Sequence, residues 1–130
     1  MVTSSLLFAL ALAGCGESNN TPAARLVLVA KDQAFHLEKQ PELRNPSITL
    51  KYGETIELVL RNDDPKQVVH CFTIGGLNVK TARNVESGET ATLTFKPTQQ
   101  GIFTYVCLMH PQMAGKIIVQ RVQHKMKGTC

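Results

Sequence analysis

The chain has 130 residues, with 14 Lys and Arg against 10 Asp and Glu, for a formal charge of +4. Setting aside the amino-terminal signal described below leaves about 115 residues, enough for one domain with a real core and too few for two. The basic excess is scattered and forms no run, which speaks against a nucleic-acid surface. Cys15, Cys71, Cys107 and Cys130 make no C-x-x-C, so neither a thioredoxin centre nor a zinc ribbon is expected.

Residues 6–13 (LLFALALA) form an apolar run too short to span a bilayer as a helix. Small residues, Cys15 and the polar GESNNTPAA follow, the layout of a secretory h-region and cleavage site. Leu12-Ala13-Gly14-Cys15 resembles the bacterial lipobox, although the preceding MVTSS lacks the usual Lys or Arg. The resemblance implies a signal over residues 1–14, lipidation of Cys15 and a domain tethered outside the membrane. Residues 15–24 then serve as a flexible tether.

The body of the chain, residues 25–122, reads as short strands in succession. Candidates are RLVLVAK (25–31), SITLKY (47–52), ETIELVLR (54–61), VVHCFTI (68–74), ETATLTF (89–95), IFTYVC (102–107) and KIIVQRV (116–122). Ile56, Leu58 and Leu60 alternate with polar neighbours, as do Ala91, Leu93 and Phe95. Asn62-Asp63-Asp64-Pro65 is a turn signal, since Asn and Asp bond nearby backbone and Pro fixes φ. Strands of this length between Gly, Pro and Asn turns predict an all-β, antiparallel sandwich or barrel of about seven to eight strands. The polar tail, residues 123–130, carries His124, Met126 and Cys130 and is read as frayed.

One stretch, YVCLMHPQM (105–113), concentrates soft donors. A thiolate at Cys107, an imidazole at His110 and a thioether at Met113 can meet in one tight loop, stiffened by Pro111 and turned back at Gly115. His70, far upstream on a candidate strand, supplies a fourth donor. This set does not suit Mg or Ca, which take oxygen ligands. It suits copper, in a trigonal His2Cys site with a weak axial Met. Zinc accepts the His2Cys part and gains little from a thioether.

The pattern C-x-x-H-P-x-M, followed by a small residue, Gly and an apolar strand, resembles the ligand loop of plastocyanin- and amicyanin-like cupredoxins. The aromatics of FTYVC and the His70-Cys71-Phe72 triplet match as well, so the resemblance runs from about Arg25 to Val119. It implies a Greek-key sandwich holding one copper that cycles between Cu(I) and Cu(II). His70, Cys107 and His110 take the ligand positions, and Met113 the axial one. It also implies that electrons pass at His110, through an apolar patch of Leu108, Met109, Pro111 and Leu77. The family usually has Asn after the first His, where it fastens the ligand loop. Here Cys71 stands in that place, and strand alternation points it away from the face bearing His70 and Phe72, so it is not counted as a ligand.

The remaining candidates read more simply. Met109 lies inside the Cys-to-His bridge and is expected at the surface, and His36 has no visible partner. Cys71 and Cys130 could pair in an oxidising compartment. The expected function is extracytoplasmic electron transfer between redox partner proteins by a lipid-anchored monomer, without nucleic acid. A copper carrier or buffer would use the same donors. Catalysis is not expected, because multicopper oxidases and copper nitrite reductases need more His ligands than the four His of this chain.

Overall fold

The structure, a computed structural model, describes residues 22–122. The signal, Cys15, most of the tether and the tail with His124, Met126 and Cys130 lie outside the described residues. Nine strands build two sheets. They are β1 (Ala24–Lys31), β2 (Ala34–Leu37), β3 (Ile48–Lys51), β4 (Ile56–Asn62), β5 (Thr73–Ile74), β6 (Val79–Lys80), β7 (Thr90–Phe95), β8 (Gly101–Cys107) and β9 (His110–Gln120). One sheet runs β2-β1-β4-β7 and the other β3-β9-β8-β5-β6. The result is the all-β sandwich that the alternation predicts, with the chain crossing repeatedly from one sheet to the other.

Pairing is not antiparallel throughout. β1 lies parallel to β4 and β3 parallel to β9, each pair separated along the chain by strands of both sheets. β2 and β6 escape the sequence reading because four and two residues are too short for a period to show. β1 and β2 form a hairpin through Asp32 and Gln33, both at positive φ (52° and 59°). Positive φ at both central positions is the geometry that matches the twist of a two-residue hairpin.

Inward-facing residues fill the space between the sheets: Leu28 and Ala30 from β1, Ile56, Leu58 and Leu60 from β4, Ile117 and Val119 from β9. At the end of the sandwich that carries the soft donors, three aromatic rings interlock. Phe35 meets Phe72 edge-on at 5.7 Å and Tyr105 at 5.6 Å, while Phe72 and Tyr105 stack at 5.5 Å. Such pairs add about 0.5–1.5 kcal/mol each beyond the area they bury. Phe72 follows His70 by two residues and Tyr105 precedes Cys107 by two, so this cluster ties together the two segments that carry donors.

Tyr105 is fully buried, and its hydroxyl donates to the Pro46 carbonyl at 2.8 Å. Burial pushes its phenol above the ordinary value, which keeps it a donor. Its ring lies directly over Gly115, its partner across β8 and β9. Gly115 is therefore not the reversal point that the loop reading suggests. It sits within β9, where any Cβ would collide with the Tyr105 ring. Gly115→Ala is expected to lower stability by about 1–3 kcal/mol through overpacking. Urea denaturation with an unchanged midpoint would show that the ring moves aside freely.

Candidate metal centre

The carboxyl-terminal donors arrive on a hairpin rather than a loop between distant strands. β9 begins at His110, not near Lys116, and Cys107 pairs directly with His110 across the two-residue turn Leu108-Met109. Further along, Val106 pairs with Ala114, so the register shifts and Pro111, Gln112 and Met113 bulge without partners opposite. Bulges re-aim side chains in this way. Here the extra residues let His110 stay partly exposed while Met113 is fully buried.

His70 comes from the other side. Only Thr73 and Ile74 of the expected strand 68–74 join the ladder; His70 instead exchanges backbone hydrogen bonds with Val85 (3.0 and 2.7 Å). Its ring is wholly buried, and Nε2 lies 2.6 Å from Asp64 Oδ2. With Nε2–H donating to that carboxylate, the lone pair is left on Nδ1, the atom that faces Cys107. Asp64 is positioned in turn. Its Oδ1 accepts the Asp32 N–H at 2.8 Å, and its own N–H donates to Asn62 Oδ1 at 3.0 Å. Asn62, fully buried, also donates through Nδ2 to the carbonyls of Val68 (2.7 Å) and Val85 (2.9 Å). One amide thus clamps both segments flanking His70.

Sequence reasoning read Asn62 and Asp64 as turn residues. Alternation along β4 was the available signal, because it carries the inward face past Ile56, Leu58 and Leu60 to position 62. The Asp32-Gln33 turn also touches the opposite side of the site, since Gln33 Oε1 accepts from Gln112 Nε2 at 3.2 Å.

His70, Cys107 and His110 converge, with one donor atom from each lying within 4.8 Å of the others. Cys107 Sγ is 3.9 Å from His70 Nδ1 and 3.7 Å from His110 Nδ1. A first-row metal bound at about 2.3 Å to sulfur and about 2.0 Å to nitrogen, with trigonal angles, holds those atoms about 3.8 Å apart. The observed spacings fit that requirement on both sides, and thiolate with two imidazoles is a donor set for copper. Burial pushes the Cys107 thiol above its ordinary value, partly opposed by the N–H of Cys71. Metal uptake therefore releases a proton from sulfur.

Cys71 requires a correction. The segment around it leaves the ladder, so alternation fails there and its side chain turns in beside the ligand hairpin instead of away. Its N–H donates to Cys107 Sγ at 3.4 Å, and its Sγ accepts the Leu108 N–H at 3.2 Å. Cys71 thus fastens the hairpin, which is the task the resemblance gives to Asn, while remaining outside the converging trio. Leu108 and Met109 at the hairpin tip are 66% and 51% exposed, and Pro111 is exposed beside them. Leu77 sits in the 3-10 turn Gly75–Leu77 and packs partly against the core. His36, on β2, places its ring nitrogens near the carbonyls of Leu43 and Lys31 and takes no part in the site.

A carboxylate behind a ligating imidazole raises its basicity and fixes its orientation. Asp64→Asn keeps the shape and removes the charge. Cu(II) affinity is expected to fall about 10–100-fold in a chelator competition, with a smaller loss for Cu(I). Equal affinity in the variant would leave Asp64 with a purely structural role.

Residues 4–119 match the Cupredoxin-like domain family. Amicyanin from Paracoccus versutus is 28% identical over 103 residues, covering 79% of this chain and 76% of its own length. Auracyanin B superposes with a TM-score of 0.62 at 20% identity, over 78% of this chain and 92% of that one. McoA multicopper oxidase from Aquifex aeolicus shares the fold over 77% of this chain and 27% of its own, with a TM-score of 0.60 at 19% identity. The structural likenesses at these identities speak for the fold, and the family match joins them to the converging His-Cys-His cluster. The chain belongs to the cupredoxin family, and His70, Cys107 and His110 are positioned to bind one copper.

Proposed function

We propose that this protein is an extracytoplasmic electron carrier with a single type 1 copper. His70, Cys107 and His110 would hold it, with the thioether of Met113 as a fourth donor. The observation that carries this reading is the placement of one buried thiol at near-equal distances, 3.9 and 3.7 Å, from two imidazole Nδ1 atoms. Bound copper supplies a one-electron couple. The chain supplies a cavity in which the donors are held by neighbours that metal does not need to move. Asp64 orients His70, Cys71 and the Leu108 amide brace the hairpin, and the Phe35-Phe72-Tyr105 cluster fixes the floor. Met113, fully buried where the hairpin bulges, is the thioether that this reading adds to the trio.

Electrons enter and leave at His110, the one partly exposed member of the trio, within the patch formed by Leu108, Met109 and Pro111, with Leu77 assigned to it by resemblance. An apolar patch of this kind favours small, short-lived contacts with redox partner proteins. No catalytic turnover is assigned, and the protein acts as a monomer. The Leu12-Ala13-Gly14-Cys15 motif supports lipidation at Cys15, which keeps the domain at a membrane surface. Among the described residues no helix is long and apolar enough to cross a membrane.

Titration of the protein with Cu(II), followed by visible absorption and EPR, tests the copper assignment. One equivalent is expected to give an intense blue band that Cys107→Ser abolishes. Met113→Leu is expected to keep the band while shifting the reduction potential. Weak colour, or binding that survives Cys107→Ser, would move a copper carrier or buffer to the front. The anchor is tested separately. Cys15→Ser is expected to shift the protein from the membrane fraction to the soluble one, and an unchanged distribution would remove the lipid from the account.

A further inference from the structure

The copper reading leaves one buried nucleophile without chemistry. Cys71, 9% exposed, lies with its Sγ 3.8 Å from Cys107 Sγ, and both thiols are free. At that separation the sulfurs are in van der Waals contact. A disulfide needs a sulfur separation of about 2.05 Å, so closure requires each sulfur to move by roughly 1 Å. Both cysteines stand where the backbone can yield. Cys71 lies before the first ladder pair of β5, and Cys107 adjoins the turn and the register shift of the hairpin. Two hydrogen bonds already hold them together, from the Cys71 N–H to Cys107 Sγ and from the Leu108 N–H to Cys71 Sγ.

We propose that Cys71 is the resolving thiol of Cys107: in the copper-free protein the two close into a reversible disulfide that withdraws the thiolate from the metal site. Hydrogen peroxide is a sufficient oxidant and small enough to enter through the site itself. One thiolate attacks a peroxide oxygen; the S–O bond forms, the O–O bond breaks, and hydroxide leaves to take up a proton as water. The neighbouring thiolate then attacks the sulfenic sulfur; the S–S bond forms, the S–O bond breaks, and a second hydroxide leaves as water. Two thiols lose two electrons and two protons, and one peroxide becomes two waters. Without a second thiol at contact distance, a sulfenic acid at Cys107 proceeds to the sulfinic form, which is irreversible in most settings. The pairing stands on the sulfur geometry alone, whereas its effect on copper rests on Cys107 being the copper thiolate.

The test uses the full chain, freed of copper, treated with one equivalent of hydrogen peroxide and alkylated. Intact mass and non-reducing peptide mapping are then read. The expected product is two mass units lighter before alkylation, takes up no alkyl group on Cys71 or Cys107, carries a Cys71–Cys107 cross-link and is reversed by dithiothreitol. Cys71→Ser and Cys71→Ala are both expected to show added oxygen on Cys107 instead. Oxygenated Cys107 in the wild type with Cys71 still alkylated would overturn the pairing, as would Cys71 cross-linked to Cys15 or Cys130. The oxidised protein is expected to bind Cu(II) at least tenfold more weakly and to recover after reduction; a full blue band in the oxidised form would overturn the effect on copper. Absence of that band in the reduced protein, with the cross-link still mapped, would refute the copper assignment and leave the pairing intact.

Discussion

A wholly buried imidazole bonded through one nitrogen to a nearly buried carboxylate is the constraint around which this domain is organised. Taking either group out of water alone costs several kcal/mol, and only a well-made partner offsets it. The Asp64–His70 contact at 2.6 Å supplies that partner. It then requires the chain between them to fold in a particular way. Asn62 answers by bonding the carbonyls of Val68 and Val85 and the amide of Asp64, so every polar group in this dry corner is matched. Among the described residues no buried side-chain nitrogen or oxygen is left without a partner.

That corner meets the ligand hairpin through few, specific contacts. Asp32 bonds Asp64 on one side, and Gln33 bonds Gln112 on the other. A two-residue turn at positive φ therefore joins the segment of His70 to the segment of His110. Beneath both, the three aromatic rings couple the two halves of the site through packing. A cavity specified from two directions changes little when its occupant changes charge, which suits the electron-transfer role proposed above. The same tightness explains why Gly115 admits no side chain: the ring that floors the site also occupies the space over β9.

The sequence made some of this legible and hid the rest for physical reasons. Alternation in 56–60 and 91–95 identified real strands, because one face of each is buried and the other wet. Cys107 and His110 were visible because they stand three residues apart in a stretch rich in soft donors. Parallel pairing of β1 with β4 and of β3 with β9 was not visible, since it depends on which distant strands meet and not on local period. Asp64 was hidden by its company: in Asn62-Asp63-Asp64-Pro65 every residue already had a reason to be there as a turn. Cys71 was misplaced because alternation was applied to a segment that leaves the ladder at that point, and a rule about pleated strands says nothing once pairing stops.

The hairpin tip has one more consequence. Of the converging trio, His70 and Cys107 are sealed by protein and His110 alone is partly exposed, beside the turn of Leu108 and Met109. His110 is therefore the exposed edge of the trio. On the proposed function, incoming metal, a small oxidant and a partner exchanging electrons would all meet at this exposed edge. These visitors exclude one another by simple occupancy. On the proposed function, a docked redox partner would shield the site while it stays, and the intervals between partners would set how often anything else can enter.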